Sequence, residues 1–196
     1  MDRREFFRRG IDKISQVAVR EAENRARKKA AHWIRPPYAI RELDFLLACT
    51  RCGECIEACP HGTVFPLPVR QGAEVVNTPA LDLLNHACHL CAEWPCVTAC
   101  EARALQLPTV EEDELPPLPR IALASIDTDT CLPYSGPECG ACRPACPVDG
   151  ALQWQQEKPR IDPARCTGCA LCREACITEP KAIRVSSLYR VAEAGE

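Results

Sequence analysis

The sequence contains 16 cysteines among 196 residues, and their spacing constrains the fold more than any other feature. They fall into four groups of four, with none left over. The groups are Cys49, Cys52, Cys55 and Cys59; Cys88, Cys91, Cys96 and Cys100; Cys131, Cys139, Cys142 and Cys146; and Cys166, Cys169, Cys172 and Cys176. Because the 46% share of hydrophobic residues counts these cysteines, the other apolar residues form a lean core. The composition therefore argues against an enzyme built around one large apolar core and points to disulfides or metal.

The spacing within the groups favours iron–sulfur clusters. The first and fourth groups read C-x2-C-x2-C-x3-C, and a proline follows the last cysteine of the first and third groups. In two-cluster ferredoxins, the first three cysteines of such a run bind one [4Fe–4S] cluster and the fourth binds the neighbouring cluster. The four groups therefore predict four [4Fe–4S] clusters, with all 16 cysteines as iron ligands.

Two other uses of cysteine fit the spacing less well. Structural zinc sites usually take two separated C-x2-C pairs, whereas the first group places three cysteines within seven residues. A disulfide framework is typical of secreted, oxidised chains.

Because the thiol count is complete, His61, His86 and His89 are expected to be surface or supporting residues rather than ligands. Trp94 and Trp154 are expected to pack over the clusters.

The second and third groups depart from the simplest spacing. The second reads C-x2-C-x4-C-x3-C, and its two additional residues lie around Trp94-Pro95. The third has seven residues, Leu132 to Glu138, between its first two cysteines. Since this insert contains two prolines and a glycine, we expect an extruded loop that still returns Cys139 to the cluster.

These motifs resemble the ferredoxin-type proteins NapF, NapG and MauM. The resemblance rests on Ile34-Arg35-Pro36-Pro37, on Phe45-Leu46, and on the spacings of the second and third groups, and it covers residues 34–188. It implies electron transfer in or around a membrane-linked anaerobic respiratory system, with an oxidoreductase or a molybdoenzyme subunit as the redox partner. The spacing of the second group also resembles that of the electron-transfer subunits of molybdopterin oxidoreductases.

The chain is predicted to be an α+β protein with a basic helical segment at 1–35, a four-cluster body at 36–190 and a tail at 191–196. The body is expected to contain two pseudo-symmetric units that resemble bacterial dicluster ferredoxins. Short strands are predicted at 121–126 and 160–162, leading into the third and fourth cysteine groups. The prolines of residues 60–87 predict an irregular linker with a short helix near 81–84, and those of 106–120 predict an exposed loop.

The spacing leaves open which groups share clusters. Sequential pairing joins the first group with the second and the third with the fourth. The resemblance to molybdoenzyme subunits implies nesting instead, with 88–146 inserted between 49–59 and 166–176, and we favour nesting. The nested sets are Cys49, Cys52 and Cys55 with Cys176; Cys166, Cys169 and Cys172 with Cys59; Cys88, Cys91 and Cys96 with Cys146; and Cys131, Cys139 and Cys142 with Cys100.

Charge is distributed unevenly along the chain. Residues 1–35 carry 11 Lys/Arg and 5 Asp/Glu, a net of +6, whereas residues 36–196 carry 13 and 22, a net of −9, and the two add to −3. An anionic body is a poor partner for nucleic acid. It favours a basic docking surface on another protein.

The N-terminal segment carries a candidate export motif. Arg3-Arg4-Glu5-Phe6-Phe7 resembles a twin-arginine signal, but charged residues interrupt the following stretch at 11–21. Because an export signal needs an apolar stretch of about 7–15 residues, we interpret the motif as degenerate and expect a cytoplasmic protein, with a periplasmic one as the alternative.

The same segment carries an apolar stripe at helical spacing, but no apolar run is long enough for a transmembrane helix. The stripe consists of Phe7, Ile11, Ile14 and Ala18. Three alternatives remain for it: packing on the protein's own body, docking to a partner, and peripheral contact with a membrane surface.

No nucleotide-binding loop, catalytic triad or paired-carboxylate site stands out, so the chain is not predicted to be an enzyme. The leading hypothesis is an electron carrier that relays single electrons through four [4Fe–4S] clusters. A second is an accessory factor that binds a molybdenum reductase during its maturation, as the resemblance to NapF implies. A third is a purely structural cluster protein. In each case the chain without iron is expected to be largely unfolded.

Overall fold

The computed structural model describes residues 3–111 and 114–190, and it describes side chains from residue 16 onward. Two single turns of 3₁₀ helix, Val69–Gln71 and Arg143–Ala145, accompany the helices and strands. The helices are α1 (Arg3–Ala30), α2 (Glu42–Ala48), α3 (Glu54–Glu57), α4 (Pro95–Thr98), α5 (Leu132–Ser135) and α6 (Leu171–Glu174). The strands are β1 (Val64–Pro66), β2 (Pro79–Leu81), β3 (Leu123–Ile126), β4 (Leu152–Gln155), β5 (Lys158–Ile161) and β6 (Ile183–Ser186).

The first unit runs from residue 39 to residue 105 and is closed by contact between its two ends. Ala39 and Leu105 form an antiparallel bridge, and the Ile40 amide donates to the Ala104 carbonyl at 3.1 Å. Between the first and second cysteine groups, β1 and β2 pair antiparallel, with Val64 opposite Leu81. The chain therefore leaves one cysteine group, turns back through a short sheet and enters the next.

The second unit repeats this arrangement. Its outer strands β3 and β6 pair antiparallel, with Ile126 opposite Ile183. Between the third and fourth cysteine groups, β4 and β5 pair antiparallel, with Leu152 opposite Ile161. Small antiparallel sheets and short helices thus make an α+β protein with two dicluster-ferredoxin-like units.

The prediction for residues 60–87 is wrong in its secondary structure. In place of an irregular linker with a helix at 81–84, this segment holds the β1–β2 sheet and a 3₁₀ turn. All three residues of β2 are buried, and the chain enters a turn at Leu83. Pro66 and Pro79 lie at strand ends, where a missing amide costs no ladder hydrogen bond.

The strands predicted at 121–126 and 160–162 are found as β3 and β5, each shifted by about two residues at its start. The described residues between 106 and 120 form neither helix nor strand, as predicted for an exposed loop.

The N-terminal helix α1 meets the body at its C-terminal end. Ala30 is fully buried, and its carbonyl accepts a hydrogen bond from the Ser187 hydroxyl at 2.6 Å. Within the stripe considered above, Ala18 is exposed, whereas the side chains of Phe7, Ile11 and Ile14 lie outside the described residues. The Arg3-Arg4 side chains and the tail at 191–196 also lie outside them. None of the helices in the described part is long and apolar enough to cross a membrane.

A buried ion pair joins the segment after α1 to α2. The guanidinium of Arg35 donates to the Glu42 carboxylate at 2.6 and 3.0 Å, and the Trp33 indole donates to the same carboxylate at 3.2 Å. Glu42 is only 1% exposed. Arg35 also lies 4.5 Å from the ring centroid of Phe45. Because a buried charge needs partners, this network fixes α2, and with it the start of the first cysteine group.

Candidate metal centres

The 16 thiols lie in four sets, and each set is built from both cysteine groups of one unit. Three members come from one group, and the fourth is the last cysteine of the other group. The sets are site 1 (Cys49, Cys52, Cys55, Cys100), site 2 (Cys59, Cys88, Cys91, Cys96), site 3 (Cys131, Cys139, Cys142, Cys176) and site 4 (Cys146, Cys166, Cys169, Cys172).

Sites 1 and 2 each surround a cavity in the first unit. The site 1 thiols line one pocket of this unit, and the site 2 thiols line another. Phe45, on α2, borders the first cavity and is fully buried. Trp94 borders the second and is 7% exposed. Both pockets are therefore lined by thiols and large apolar side chains.

Sites 3 and 4 repeat this arrangement in the second unit. The thiols of Cys131, Cys139 and Cys176 lie close enough to Cys142 for their charges to raise its pKa. In site 4, Cys146 lies close enough to the other three thiols, those of Cys166, Cys169 and Cys172, for its charge to raise their pKa values. Each of sites 3 and 4 therefore takes its fourth cysteine from the group that supplies the other site, as sites 1 and 2 do.

The nested pairing predicted from the sequence does not agree with this arrangement. Each unit is closed by its own outer strands, and each has a two-stranded sheet between its two cysteine groups. This topology brings the last cysteine of one group back to the other group of the same unit. Cys176 therefore joins Cys131, Cys139 and Cys142, rather than the first group as nesting requires.

A left-handed residue precedes each short helix that carries a third cysteine. Gly53 (φ 89°) precedes α3, Trp94 (φ 47°) precedes α4 and Ala170 (φ 69°) precedes α6. The turn redirects the chain, so that Cys55, Cys96 and Cys172 on these helices lie in the same site as the two preceding cysteines of their groups. In the second group, Pro95 then starts the helix, which accommodates the longer spacing.

Gly168 occupies the tightest position in the four groups. Its φ is +76°, and a Cβ built on it would lie 2.2 Å from the Ala122 carbonyl oxygen. The approach is held by the amides of Ile121 and Ala122, which both donate to the Thr167 carbonyl, at 2.8 and 3.2 Å. Only glycine fits here, because both the conformation and the space exclude a side chain.

Burial and mutual repulsion disfavour ionised thiols in these sets. Burial, followed by repulsion from Cys100, Cys49 and Cys52, raises the pKa of Cys55 to about 12. Burial likewise raises the pKa of Cys172 to about 12. Four such thiols ionise together only when cations lie among them, and the thiolate is the form that binds metal.

The width of the sets distinguishes between kinds of metal centre. Among the described side chains, those of residues 16–111 and 114–190, no three His, Cys, Asp or Glu converge closely enough to hold one metal ion. All-sulfur donor sets suit zinc, Cu(I) and iron–sulfur clusters. Because the four thiols of each set do not converge on one ion, they fit a multinuclear [4Fe–4S] cluster better than a single zinc ion.

Cys176 differs from its neighbours in site 3. Its burial alone raises the thiol pKa, but hydrogen bonds from Thr178 and Ala182 and the charge of Lys181 outweigh burial and lower it. The Thr178 hydroxyl lies 3.3 Å from Sγ of Cys176, and the Lys181 ammonium donates to the Cys176 carbonyl. Sequence reasoning missed both residues, because their role depends on a turn that brings them back to the thiol.

The other residues singled out in the sequence have varied positions. His61 and His89 stack with ring centroids 3.7 Å apart and border the site 2 pocket. Both are exposed, as is His86. Trp94 borders site 2, as expected. Trp154 is half-buried and lies beneath the guanidinium of Arg143, 4.4 Å from its ring centroid.

The insert in the third group is less extruded than expected. It forms the single turn α5, and the Tyr134 hydroxyl donates to the Pro159 carbonyl at 2.9 Å. Residues 135–138 are exposed. The first half of the insert is therefore held against β5 by this hydrogen bond, and its second half is exposed to solvent.

Comparison with known proteins agrees with this architecture. Residues 48–105 and residues 123–177 each match a family model described as a 4Fe–4S dicluster domain. The two matches coincide with the two units, so the chain is an iron–sulfur protein of the dicluster-ferredoxin class.

Curated relatives extend the similarity over most of the chain. The methylamine utilization ferredoxin-type protein MauM of Paracoccus denitrificans is 34% identical over 79% of this chain and 71% of that protein. The MauM of Methylorubrum extorquens is 30% identical over 90% and 82%. The ferredoxin-type protein NapG of Escherichia coli is 32% identical over 79% and 71%. The chain belongs to this family of ferredoxin-type proteins. No solved structure matches it.

Proposed function

We propose that the protein relays single electrons through four [4Fe–4S] clusters between redox partners, one of them a respiratory oxidoreductase or a molybdoenzyme subunit. The observation that carries the proposal is the complete allocation of 16 thiols to four sites of one kind. When bound, each cluster supplies a centre that accepts and releases one electron. A structural role would need only one or two such sites, whereas four neighbouring sites suit the transfer of electrons from one cluster to the next.

The proposal assigns all 16 cysteines as iron ligands in the four sites defined above. Their role is to hold iron as thiolates, in pockets that also contain apolar side chains. Family membership supports this assignment, since the printed names of the relatives describe ferredoxin-type proteins. The anionic body, with a net charge of −9 over residues 36–196 (13 Lys/Arg against 22 Asp/Glu), suits partners that present a basic surface.

Electron exchange with a candidate oxidoreductase tests the function. The anaerobically reduced protein is mixed with the oxidised enzyme, and reoxidation is followed by visible absorbance. The proposal expects reoxidation at least as fast as enzyme turnover. Tight binding to the cofactor-free enzyme with no electron flow would instead favour an accessory factor in enzyme maturation.

Cysteine-to-serine variants test the pairing of the groups. Cys176→Ser is expected to alter the same component of the reduced EPR spectrum as Cys139→Ser, because both residues belong to site 3. Cys52→Ser, in site 1, is expected to alter a different component. If Cys176→Ser and Cys52→Ser changed one shared component, nesting would be right and the proposed sites wrong.

Thr178→Val is expected to lower the reduction potential of site 3. An iron-bound thiolate has no proton, so the Thr178 hydroxyl is the donor to Cys176 and stabilises the more negative, reduced state. A hydrogen bond worth about 1 kcal/mol corresponds to roughly 40 mV for one electron. Redox titration monitored by EPR measures the shift.

Thr98→Val is the matched control for this variant. The Thr98 hydroxyl hydrogen-bonds to carbonyl oxygens of its own helix region, Trp94 and Pro95, at 3.4 and 3.1 Å. All potentials should stay unchanged in the control. An unchanged site 3 potential in Thr178→Val would show that the hydroxyl does not influence the iron centre.

A further inference from the structure

The two units touch directly at a pair of predicted ligands. The Cys88 amide, from site 2, donates a 2.8 Å hydrogen bond to the Cys169 carbonyl of site 4. Burial raises the pKa of Cys88 to about 11, and among neighbouring cysteines Cys169 contributes the most to the rise, although it belongs to the other unit. Sites 2 and 4 are therefore adjacent across the boundary between the units.

Apolar residues of both units pack around this contact. Val64, Leu81 and Leu83 of the first unit form one buried cluster with Ala170 of the second and with Ile121 and Ala122 of the segment leading into β3. Cys59 and Cys88 of site 2 pack against the same cluster. The boundary between sites 2 and 4 is thus dry, which suits electron transfer between iron centres held on either side.

Two side chains of α6 fasten the contact. Glu174 accepts a hydrogen bond from the Ala87 amide at 3.2 Å, directly before Cys88 in the chain. Arg173 donates to the Leu84 carbonyl of the first unit at 3.4 Å and to the Ile183 carbonyl of its own unit at 2.5 Å. Glu174 also lies 3.9 Å from His89. The residues that flank Cys88 are therefore held by the helix that carries Cys172.

The contacts within each unit complete a linear order. Cys55 of site 1 and Cys96 of site 2 belong to one buried cluster. The helix α6, which carries Cys172 of site 4, packs against the 3₁₀ turn Arg143–Ala145, which directly follows Cys142 of site 3. With the Cys88–Cys169 contact in the middle, the four sites follow one another in the order 1, 2, 4, 3.

We propose that Arg173 and Glu174 are positioning residues that couple the two units into one array, with sites 2 and 4 inside and sites 1 and 3 at its ends. Redox partners then exchange electrons at the ends. Site 1 carries Cys52, which is exposed, and Ile177, beside Cys176 of site 3, is 68% exposed. This inference rests on the proposed function, because it concerns how the four iron sites are connected.

The first unit offers a matched control, because α3 and α6 occupy the same place in their motifs. Glu57 stands two residues after Cys55, as Glu174 stands two residues after Cys172. Glu57 is exposed. Glu57→Ala therefore removes a carboxylate from an equivalent helix without touching the boundary between the units.

The test compares the double variant Arg173→Ala/Glu174→Ala with Glu57→Ala and the unaltered protein, all purified anaerobically and reduced with dithionite. In the double variant we expect the Cys88 amide to exchange hydrogen roughly tenfold faster, with unchanged iron content. The reduced EPR spectrum should change from that of four coupled spins to the sum of two independent pairs. Glu57→Ala should match the unaltered protein in both measurements.

Three outcomes would overturn the inference. These are an unaltered protein whose spectrum already equals two independent pairs, a double variant whose amide exchange and spectrum are unchanged, and a Glu57→Ala variant that is equally affected. The first needs no variant, so the inference stays testable if the double variant fails to fold. Failure of the proposed function is distinguishable, because it would appear as missing or irreducible iron in the unaltered protein.

Discussion

Removal of iron is expected to abolish the cooperative fold of residues 36–190. The strands are three or four residues long, and Phe45 is the largest fully buried side chain. Without iron, nothing bonds the four thiols that line each of the pockets of sites 1 and 2 to one another. Such a chain buries too little apolar surface to offset the entropy of ordering it, so metal binding supplies much of the folding free energy.

Amide NMR and circular dichroism check this expectation. The protein is stripped with a chelator under anoxic, reducing conditions, and the dispersion of amide signals should collapse. Rebuilding the clusters with iron and sulfide should restore it. A stripped chain that still unfolds in one sharp transition would contradict the view that the clusters form the core.

Gly168→Ala is expected to have the largest effect of any single substitution outside the ligands. The added Cβ would lie 2.2 Å from the Ala122 carbonyl oxygen, and this backbone cannot move away without losing the hydrogen bonds to Thr167. The left-handed conformation adds about 1–2 kcal/mol for a residue with a side chain. We expect loss of the iron of site 4, roughly a quarter of the total, together with faster loss of cluster absorbance in denaturant.

Gly140→Ala is the matched control for this substitution. Gly140 also lies inside a cysteine group, between Cys139 and Cys142, but a Cβ there would meet no atom within 4 Å. This variant should keep all its iron and be equal to the unaltered protein or slightly more stable. Equal iron content in Gly168→Ala and Gly140→Ala would mean that the close approach at Ala122 is not needed for site 4.

The cysteine spacing predicts the fold class and the kind of site, because the motif is local. Four groups of four thiols need no tertiary information to indicate cluster ligands, and the strands before the third and fourth groups follow from their apolar residues. The spacing does not predict which groups pair, because the pairing depends on how the chain folds back between the groups. In the first unit the chain returns through the β1–β2 sheet, and each of these two strands contains a proline.

The two halves of the chain have the same order of strands between their cysteine groups. Val64–Pro66 and Pro79–Leu81 lie between the first two groups, just as Leu152–Gln155 and Lys158–Ile161 lie between the last two. The contacts of Thr178, Arg173 and Glu174 could not be predicted, since they form across turns and between units. They depend on the relative placement of segments up to 89 residues apart.

The central claim is that four [4Fe–4S] clusters occupy the four thiol sites of one chain. Its most direct test is the content of iron and acid-labile sulfide in protein purified without oxygen, with Mössbauer spectroscopy to identify the cluster type. The account predicts about 16 iron and 16 sulfide per chain, all in cubane clusters. Zinc without sulfide, or a fully folded chain that holds only half this iron, would contradict it.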